Sequence, residues 1–296
     1  MMKKFYLVVN PKGGAKKGLE ILKKVRPIFE NSGAQIDVLE TEYAGHAEEY
    51  AKKMDYKGYD GFCAIGGDGT MHEVINGMLK REDGQMLPIG LITGGTGNAF
   101  MHDLECLDPI ESVERIMKGH LRPVDIARVD ANGQIFYAFN IIGWGMVTDA
   151  TSLAEKLRWL GEARYNIGAI YEVIKSKKRI SKLIIDNEEI IEDFVFIIAC
   201  NTIHTGKAMK IAPLAKVDDG KIDIVIVRKA SRVQLLKLFP KLFTGEHIDS
   251  PLVEYDQIES FSIVPEETSD ITIDGELIGQ TPINVQLESQ KINVLV

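Results

Sequence analysis

The string Gly66-Gly67-Asp68-Gly69-Thr70 puts one carboxylate inside a turn that otherwise offers backbone amides. Glycine lacks a Cβ, so such a turn closes tightly and lets its N–H groups approach a ligand. A strand-like apolar run, residues 61–65, precedes it. A helical pattern follows over residues 70–79, with Met71, Val74, Ile75, Met78 and Leu79 on one face. Amides at the start of a helix bind anions, phosphate most naturally. Asp68 would repel phosphate unless a metal or a proton transfer stood between them. Phosphoryl transfer uses both: Mg²⁺ neutralises charge, and a carboxylate accepts the hydroxyl proton. Thr70 and Glu73 fit a capping box for the helix. A tight structural turn would explain a lone Gly-Asp-Gly; the five-residue string at a strand-to-helix junction favours the phosphate reading.

Two further glycine loops point the same way. Thr93-Gly94-Gly95-Thr96-Gly97-Asn98 follows strand-like residues 89–92, and Asn10-Pro11-Lys12-Gly13-Gly14 opens a Gly- and Lys-rich loop after residues 5–9. All three loops sit at carboxyl ends of strands, where open parallel sheets bind ligands. Neither a Gly-Lys-Ser/Thr P-loop nor a spaced G-x-G-x-x-G fingerprint occurs.

The elements that must position these loops alternate strand and helix over the first 120 or so residues, which predicts a parallel sheet covered by helices. After residue 121 the texture changes to short strands, among them residues 135–142 and 258–264, with turns at Asn132-Gly133, Asp219-Gly220 and Asp274-Gly275. That pattern predicts a β-sandwich, interrupted by one helical stretch over residues 152–178. The expected architecture is α/β: a Rossmann-like parallel-sheet domain over residues 1–123, then a β-rich domain over residues 124–287. A last strand, residues 288–296, is free to return to the first domain.

With 296 residues, 45% apolar and 26% charged, the chain is composed like an ordinary globular protein. A net charge of −8 argues against sequence-independent nucleic-acid binding. Cys63, Cys106 and Cys200 are odd in number and widely spaced, which predicts buried free thiols in a reducing compartment. The apolar part of the amino terminus is shorter than a signal peptide, and no segment approaches the ~20 apolar residues that span a bilayer. These features predict a cytoplasmic protein whose membrane contact is peripheral, at the inner face.

The three loops together resemble the diacylglycerol kinase catalytic family, which includes the sphingosine and ceramide kinases. Asn10-Pro11-Lys12-Gly13-Gly14, Thr41 with His46-Ala47, the Gly66–Gly67–Asp68–Gly69–Thr70 loop with His72-Glu73-Val74 and Asn76-Gly77, and Gly95-Thr96-Gly97-Asn98 carry the likeness. In the second half, Gly143-Trp144-Gly145-Met146-Val147-Thr148-Asp149, and Glu155-Lys156 continuing through Arg158 to Arg164, are similar to the sphingosine-kinase branch. The resemblance implies an NAD kinase/diacylglycerol kinase-like fold and an ATP-dependent lipid kinase with Mg²⁺. The three loops, with Thr41, Glu73 and Asp274, would hold the nucleotide, and Arg158 and Arg164 its phosphates. Asp149 would meet the lipid. It places the Asp274-Gly275-Glu276 turn at the active site, with either Asp68 or Glu276 as general base, and a structural Mg²⁺ at Lys216, Asp219 and Lys221. Nothing in it opposes a homodimer.

Two departures bear on the acceptor. Thr151 stands where sphingosine kinases carry a second acidic residue, and Ala99 stands where bacterial members place Asp. Leu153, Leu157, Trp159, Leu160, Ile167, Ile170 and Tyr171 would line either a lipid slot or a core-facing helix. Lys175, Lys177, Lys178, Arg179 and Lys182 form a basic cluster that would attract anionic lipid. NAD kinase shares the Gly-Gly-Asp-Gly-Thr turn, and a non-catalytic nucleotide-binding regulator is the alternative from another class.

Overall fold

The structure is a computed structural model that describes residues 2–13, 16–95, 97–157, 163–175, 177, 179–206 and 209–296, with residues 163–166 described through their backbone alone. The chain divides into two compact units, Met1–Val124 with Gln290–Val296, and Asp125–Ser289.

In the first unit, strands β1 (Lys4–Val9), β2 (Gln35–Glu40), β3 (Gly61–Gly66) and β4 (Ile89–Thr93) alternate with helices α1 (Gly18–Asn31), α2 (His46–Lys53) and α3 (Asp68–Leu79). Helices α4 (Ala99–Asp103) and α5 (Pro109–Lys118) follow. All neighbouring strand pairs are parallel, in the order β2-β1-β3-β4. The returning carboxyl-terminal strand adds Val294 beside Ile89. Strands β1, β3 and β4 read as unbroken apolar runs because helices cover both faces. Phe5, Leu7, Val9, Cys63, Ile65 and Ile92 meet Val25 and Phe29 of α1 and Val113 and Ile116 of α5. Each fully buried side chain of this kind contributes about 1.5–3 kcal/mol. The chain leaves β1 toward one edge and crosses back over it to β3, so the switch point lies between the carboxyl ends of β1 and β3.

The second unit contains most of β5 (Leu121–Ala131), then β6 (Gln134–Ala138), β7 (Ile141–Gly145), α6 (Met146–Lys156) and α7 (Ala163–Lys175). Next come β8 (Arg179–Ile185), β9 (Glu188–Cys200), the two-residue strands β10 (His204–Thr205) and β11 (Met209–Lys210), β12 (Ile222–Arg228), α8 (Arg232–Leu238) and α9 (Lys241–Thr244). Strands β13 (Val253–Ile258), β14 (Ser260–Pro265), β15 (Asp270–Ile273), β16 (Glu276–Gln280) and the first part of β17 (Ile283–Leu295) complete it. The sandwich is organised by β9. Its first half pairs with β8, and its second half pairs with β7 on one side and β12 on the other. One face of β9 joins the sandwich core with Trp144, Ile224 and Ile271. The other face packs against Val173, Leu235 and Leu238 of the helices.

Several boundaries differ from those expected. Residues 135–142 form two strands, β6 and β7, because the buried Asp274 carboxylate accepts hydrogen bonds from the Phe139, Asn140 and Ile141 amides, at 3.3, 2.8 and 3.1 Å. Those donors cannot also serve a straight ladder. Residues 258–264 likewise split into β13 and β14, which pair with different partners. The helical stretch begins earlier, at Met146, and is two helices. The capping box at Thr70 and Glu73 does not form: α3 starts at Asp68 with Gly67 as N-cap, and no side chain caps it. All three cysteines are buried and free, and burial pushes the Cys63 thiol well above its ordinary range. Among the described residues, no helix is long and apolar enough to cross a membrane.

The three amides on Asp274 lead to a prediction. Each buried donor left unsatisfied costs about 1–3 kcal/mol, so Asp274→Ala should destabilise the chain by roughly 3 kcal/mol or more. Thermal unfolding should then move down by roughly 10 °C; a midpoint within a degree of wild type would contradict this account of the β6–β7 break.

Candidate active site

Three loops meet at the switch-point edge of the first unit. The Asn10 amide donates to Ile65 O at 3.2 Å, and the Gly94 amide donates to Gly66 O at 2.7 Å. These two bonds fasten the exits of β1 and β4 to the exit of β3. Asn10 Nδ2 lies 3.5 Å from Thr70 Oγ1, and Asn10 Oδ1 accepts from the Lys12 amide at 3.0 Å. A Cβ on Gly95 would sit 2.5 Å from Gly67 Cα and 2.6 Å from Asn98 Oδ1, so the two loops approach closely only as glycines. Pro11 and Gly13 belong to the β1 loop; Gly14 and Thr96 lie outside the described residues.

Asp68 opens α3 and faces the third loop. Its Oδ2 accepts from the Ala99 amide at 2.9 Å and its Oδ1 from the Phe100 amide at 3.3 Å. The carboxylate therefore caps α4, whose own N-cap, Asn98, is left-handed at φ 50° and makes no side-chain cap. Asn98 instead closes its own turn, accepting from the Gly95 amide at 3.1 Å and donating to Gly95 O at 2.9 Å. The amides fix the orientation of Asp68. Gly69 lies in the first turn of α3, whose uncapped amino end offers amides and a positive dipole to an anion.

Glu73 holds a neighbouring loop. Its Oε1 accepts from the Gly45 amide at 2.9 Å and its Oε2 from the Ala47 amide at 3.1 Å. That caps α2 from outside, because its N-cap is a glycine. Thr41 is buried at the same edge, where its amide donates to Val9 O at 2.9 Å.

In the second unit, Asp274 and Gly275 both have positive φ, 52° and 89°, as a tight hairpin turn requires. Asp274 points inward onto the 139–141 amides, while Glu276 stands exposed at the head of β16. Gly145, at φ 86°, starts α6; a Cβ there would lie 2.6 Å from Val195 O. Asp149, in the first turn of α6, is paired with Arg179 at 2.5 Å, and the Arg179 side chain is only 12% exposed. Thr151 Oγ1 donates to Val147 O at 3.0 Å within the same helix. In the sequence Arg179 belongs to a basic cluster; in the fold its guanidinium pairs with Asp149. The spacing of 30 residues from Asp149 leaves no local signal.

Of the rest of that cluster, Lys175 pairs with Glu172 and Lys182 with Glu189, both at 3.5 Å. Lys177 is exposed, and Lys178 lies outside the described residues. Arg158, Trp159 and Leu160 also lie outside them, as does the side chain of Arg164. Ile167, Ile170 and Tyr171 turn outward from α7 with Ile174.

Lys216, Asp219 and Lys221 lie on the loop before β12. Asp219 Oδ1 accepts from the Lys221 amide at 3.1 Å, and Lys221 Nζ is drawn to Glu259 at 2.6 Å. Fully buried Asp125 anchors the loop: its Oδ2 accepts from the Gly220 amide and its own amide donates to Val217 O, both at 2.7 Å. Asp223, also buried, has its Oδ2 without a hydrogen-bond partner. Burial raises its carboxyl above the ordinary range, with the Tyr255 hydrogen bond opposing.

Known proteins resemble this chain along nearly its whole length. Residues 4–129 match the family described as diacylglycerol kinase catalytic domain, and residues 140–296 match the YegS C-terminal NAD kinase beta sandwich-like domain. Sphingosine kinase 2 of Arabidopsis thaliana is 29% identical over 94% of this chain and 69% of its own length. Diacylglycerol kinase of Bacillus subtilis is 28% identical over 95% and 92%. A Bacillus anthracis structure assigned as a diacylglycerol kinase superposes with a TM-score of 0.83 at 27% identity, covering 99% of this chain and 97% of that one. The YegS C-terminal NAD kinase beta sandwich-like domain alone spans more than half of the 296 residues, so the chain belongs to that family, and ahead of it the chain carries a diacylglycerol kinase catalytic domain that contains the three glycine loops.

Proposed function

We propose that the chain transfers the γ-phosphoryl group of ATP to the hydroxyl of a lipid with a neutral head group, of the diacylglycerol kind. One observation carries the kinase reading: the uncapped amino end of α3 lies at the switch point, walled by backbone-only loops, with the Asp68 carboxylate fixed beside it. The α3 amides and the Gly67 and Gly95 loops receive the phosphates of ATP. Asp68 takes the proton of the lipid hydroxyl as its oxygen attacks the γ-phosphorus and ADP departs. Glu276, the alternative base, tops an exposed hairpin.

Mg²⁺ when bound neutralises charge on the transferring phosphoryl group. Hard oxygen donors suit it. The Asp219 carboxylate and the main-chain carbonyls of Lys216 and Lys221 would hold it, with the unpartnered Asp223 oxygen close by in sequence. We place a structural Mg²⁺ there.

The neutral acceptor rests on the Asp149–Arg179 pair. A carboxylate already neutralised by a largely buried guanidinium is poorly placed to bind the ammonium of a sphingoid base. Outward-facing Ile167, Ile170, Tyr171 and Ile174 recur at helical spacing on α7, and exposed Lys177 follows. That stripe suits peripheral contact with an anionic bilayer.

Three outcomes follow. Incubated with radiolabelled ATP, Mg²⁺, a lipid panel and NAD, the protein should label a diacylglycerol in preference to sphingosine. Label on sphingosine alone would end the neutral-acceptor reading, label on NAD alone the lipid-kinase one, and nucleotide binding with no transfer would leave a regulator. Asp68→Asn should keep ATP affinity near wild type and lower kcat by roughly 10²–10⁴-fold. Should the rate survive there and collapse in Glu276→Gln, the base is Glu276. Ile170→Asp combined with Ile174→Asp should reduce co-flotation with phosphatidylglycerol vesicles, and undiminished flotation would count against α7 as the contact.

A further inference from the structure

Resting on the nucleotide reading above, we propose that Tyr43 is the stacking platform for the base of ATP. The loop that carries Tyr43 runs from β2 to α2 and is tied down at each end. At its start, the Thr41 amide donates to Val9 O at 2.9 Å, and Glu42 O accepts from Lys12 Nζ at 3.2 Å. At its end, the Gly45 and Ala47 amides are held by Glu73 of α3. The loop is thus built onto both elements that flank the switch point, the exit of β1 and the first turns of α3. Along the α3 axis, Glu73 is five residues, about 7.5 Å, from Asp68.

Within this loop the Tyr43 ring lies parallel to the His46 ring, with centroids 4.6 Å apart and planes 5° from parallel. His46 is oriented in turn, because its Nδ1 accepts from the Glu42 amide at 3.2 Å. His46 backs one face of the Tyr43 ring. The side chain is nevertheless 52% exposed, among the most exposed large aromatic residues of the described chain. A ring held rigid by its backing residue, at the ligand edge of a parallel sheet, offers a π-face to a planar base at little ordering cost. Base-on-aromatic stacking tolerates any base, because each has a π-face. Tyr43 therefore supplies affinity for the nucleoside end of ATP, while the glycine loops take the phosphates.

The test is calorimetric, on the full chain in Mg²⁺ buffer, with ATP and with inorganic tripolyphosphate as separate probes. Tyr43→Ala should bind ATP roughly tenfold or more weakly and tripolyphosphate as wild type does. Tyr43→Phe, which keeps the ring, should match wild type for both. Unchanged ATP affinity in Tyr43→Ala overturns the proposal, as does an equal loss for tripolyphosphate, which would mean that the loop had collapsed. If wild type itself fails to bind ATP, the nucleotide reading falls first, a result distinct from any loss confined to the variant.

Discussion

The backbones of Gly67 and Gly95 lie so close that a single methyl on Gly95 would overlap Gly67 Cα. This contact sets the rest of the amino-terminal site. It brings the loop after β4 against the loop after β3, where the Gly94–Gly66 hydrogen bond extends the sheet by one more rung. With the loops at that distance, the first residue of α3 reaches the first amides of α4. Asp68 fills that position, and a side chain elsewhere along the contact would push the two helix starts apart.

Carboxylates gripping main-chain amides recur through the chain. Asp68 holds Ala99 and Phe100, Glu73 holds Gly45 and Ala47, Asp274 holds residues 139–141, and Asp125 holds Gly220. A charged acceptor makes a stronger bond than a neutral one, and each of these joins segments more than 25 residues apart. Asp68, the catalytic candidate, and Glu73 and Asp274, expected at the nucleotide, are therefore structural anchors as well. For Asp68 the anchoring fixes the carboxylate at the start of α3, between the second and third loops. For Asp274 anchoring and a place at the nucleotide compete, since its side chain is buried and holds the amides at the break between β6 and β7.

The acceptor side follows a different logic. An acid in the first turn of α6 is favoured by the helix dipole, and on its own it would attract a cation. Arg179 arrives from the start of β8 and satisfies it internally. On the proposed reading, selectivity for a neutral lipid would come from pairing the acid within the protein.

Local chemistry was enough to read much of this from the residues alone. Glycine strings after apolar runs can only be tight turns, so the three loops, the parallel sheet and the following sandwich were legible, as was Asp68 as the acid among them. What local chemistry lacks is the partner at a distance. Thr70 and Glu73 have the spacing of a capping box, yet Glu73 turns to α2 because Gly77 lets the two helices pack closely and α2 begins with a glycine that cannot cap itself. Residues 135–142 read as one apolar strand-like run, yet Asp274, more than 130 residues later, takes the amides of residues 139–141. Arg179 reads as one charge among several lysines until the fold sets it on Asp149. Spacing determines which residues share a turn or a face. Which carboxylate meets which amide or guanidinium is decided by tertiary packing, because that choice depends on distances no local pattern encodes.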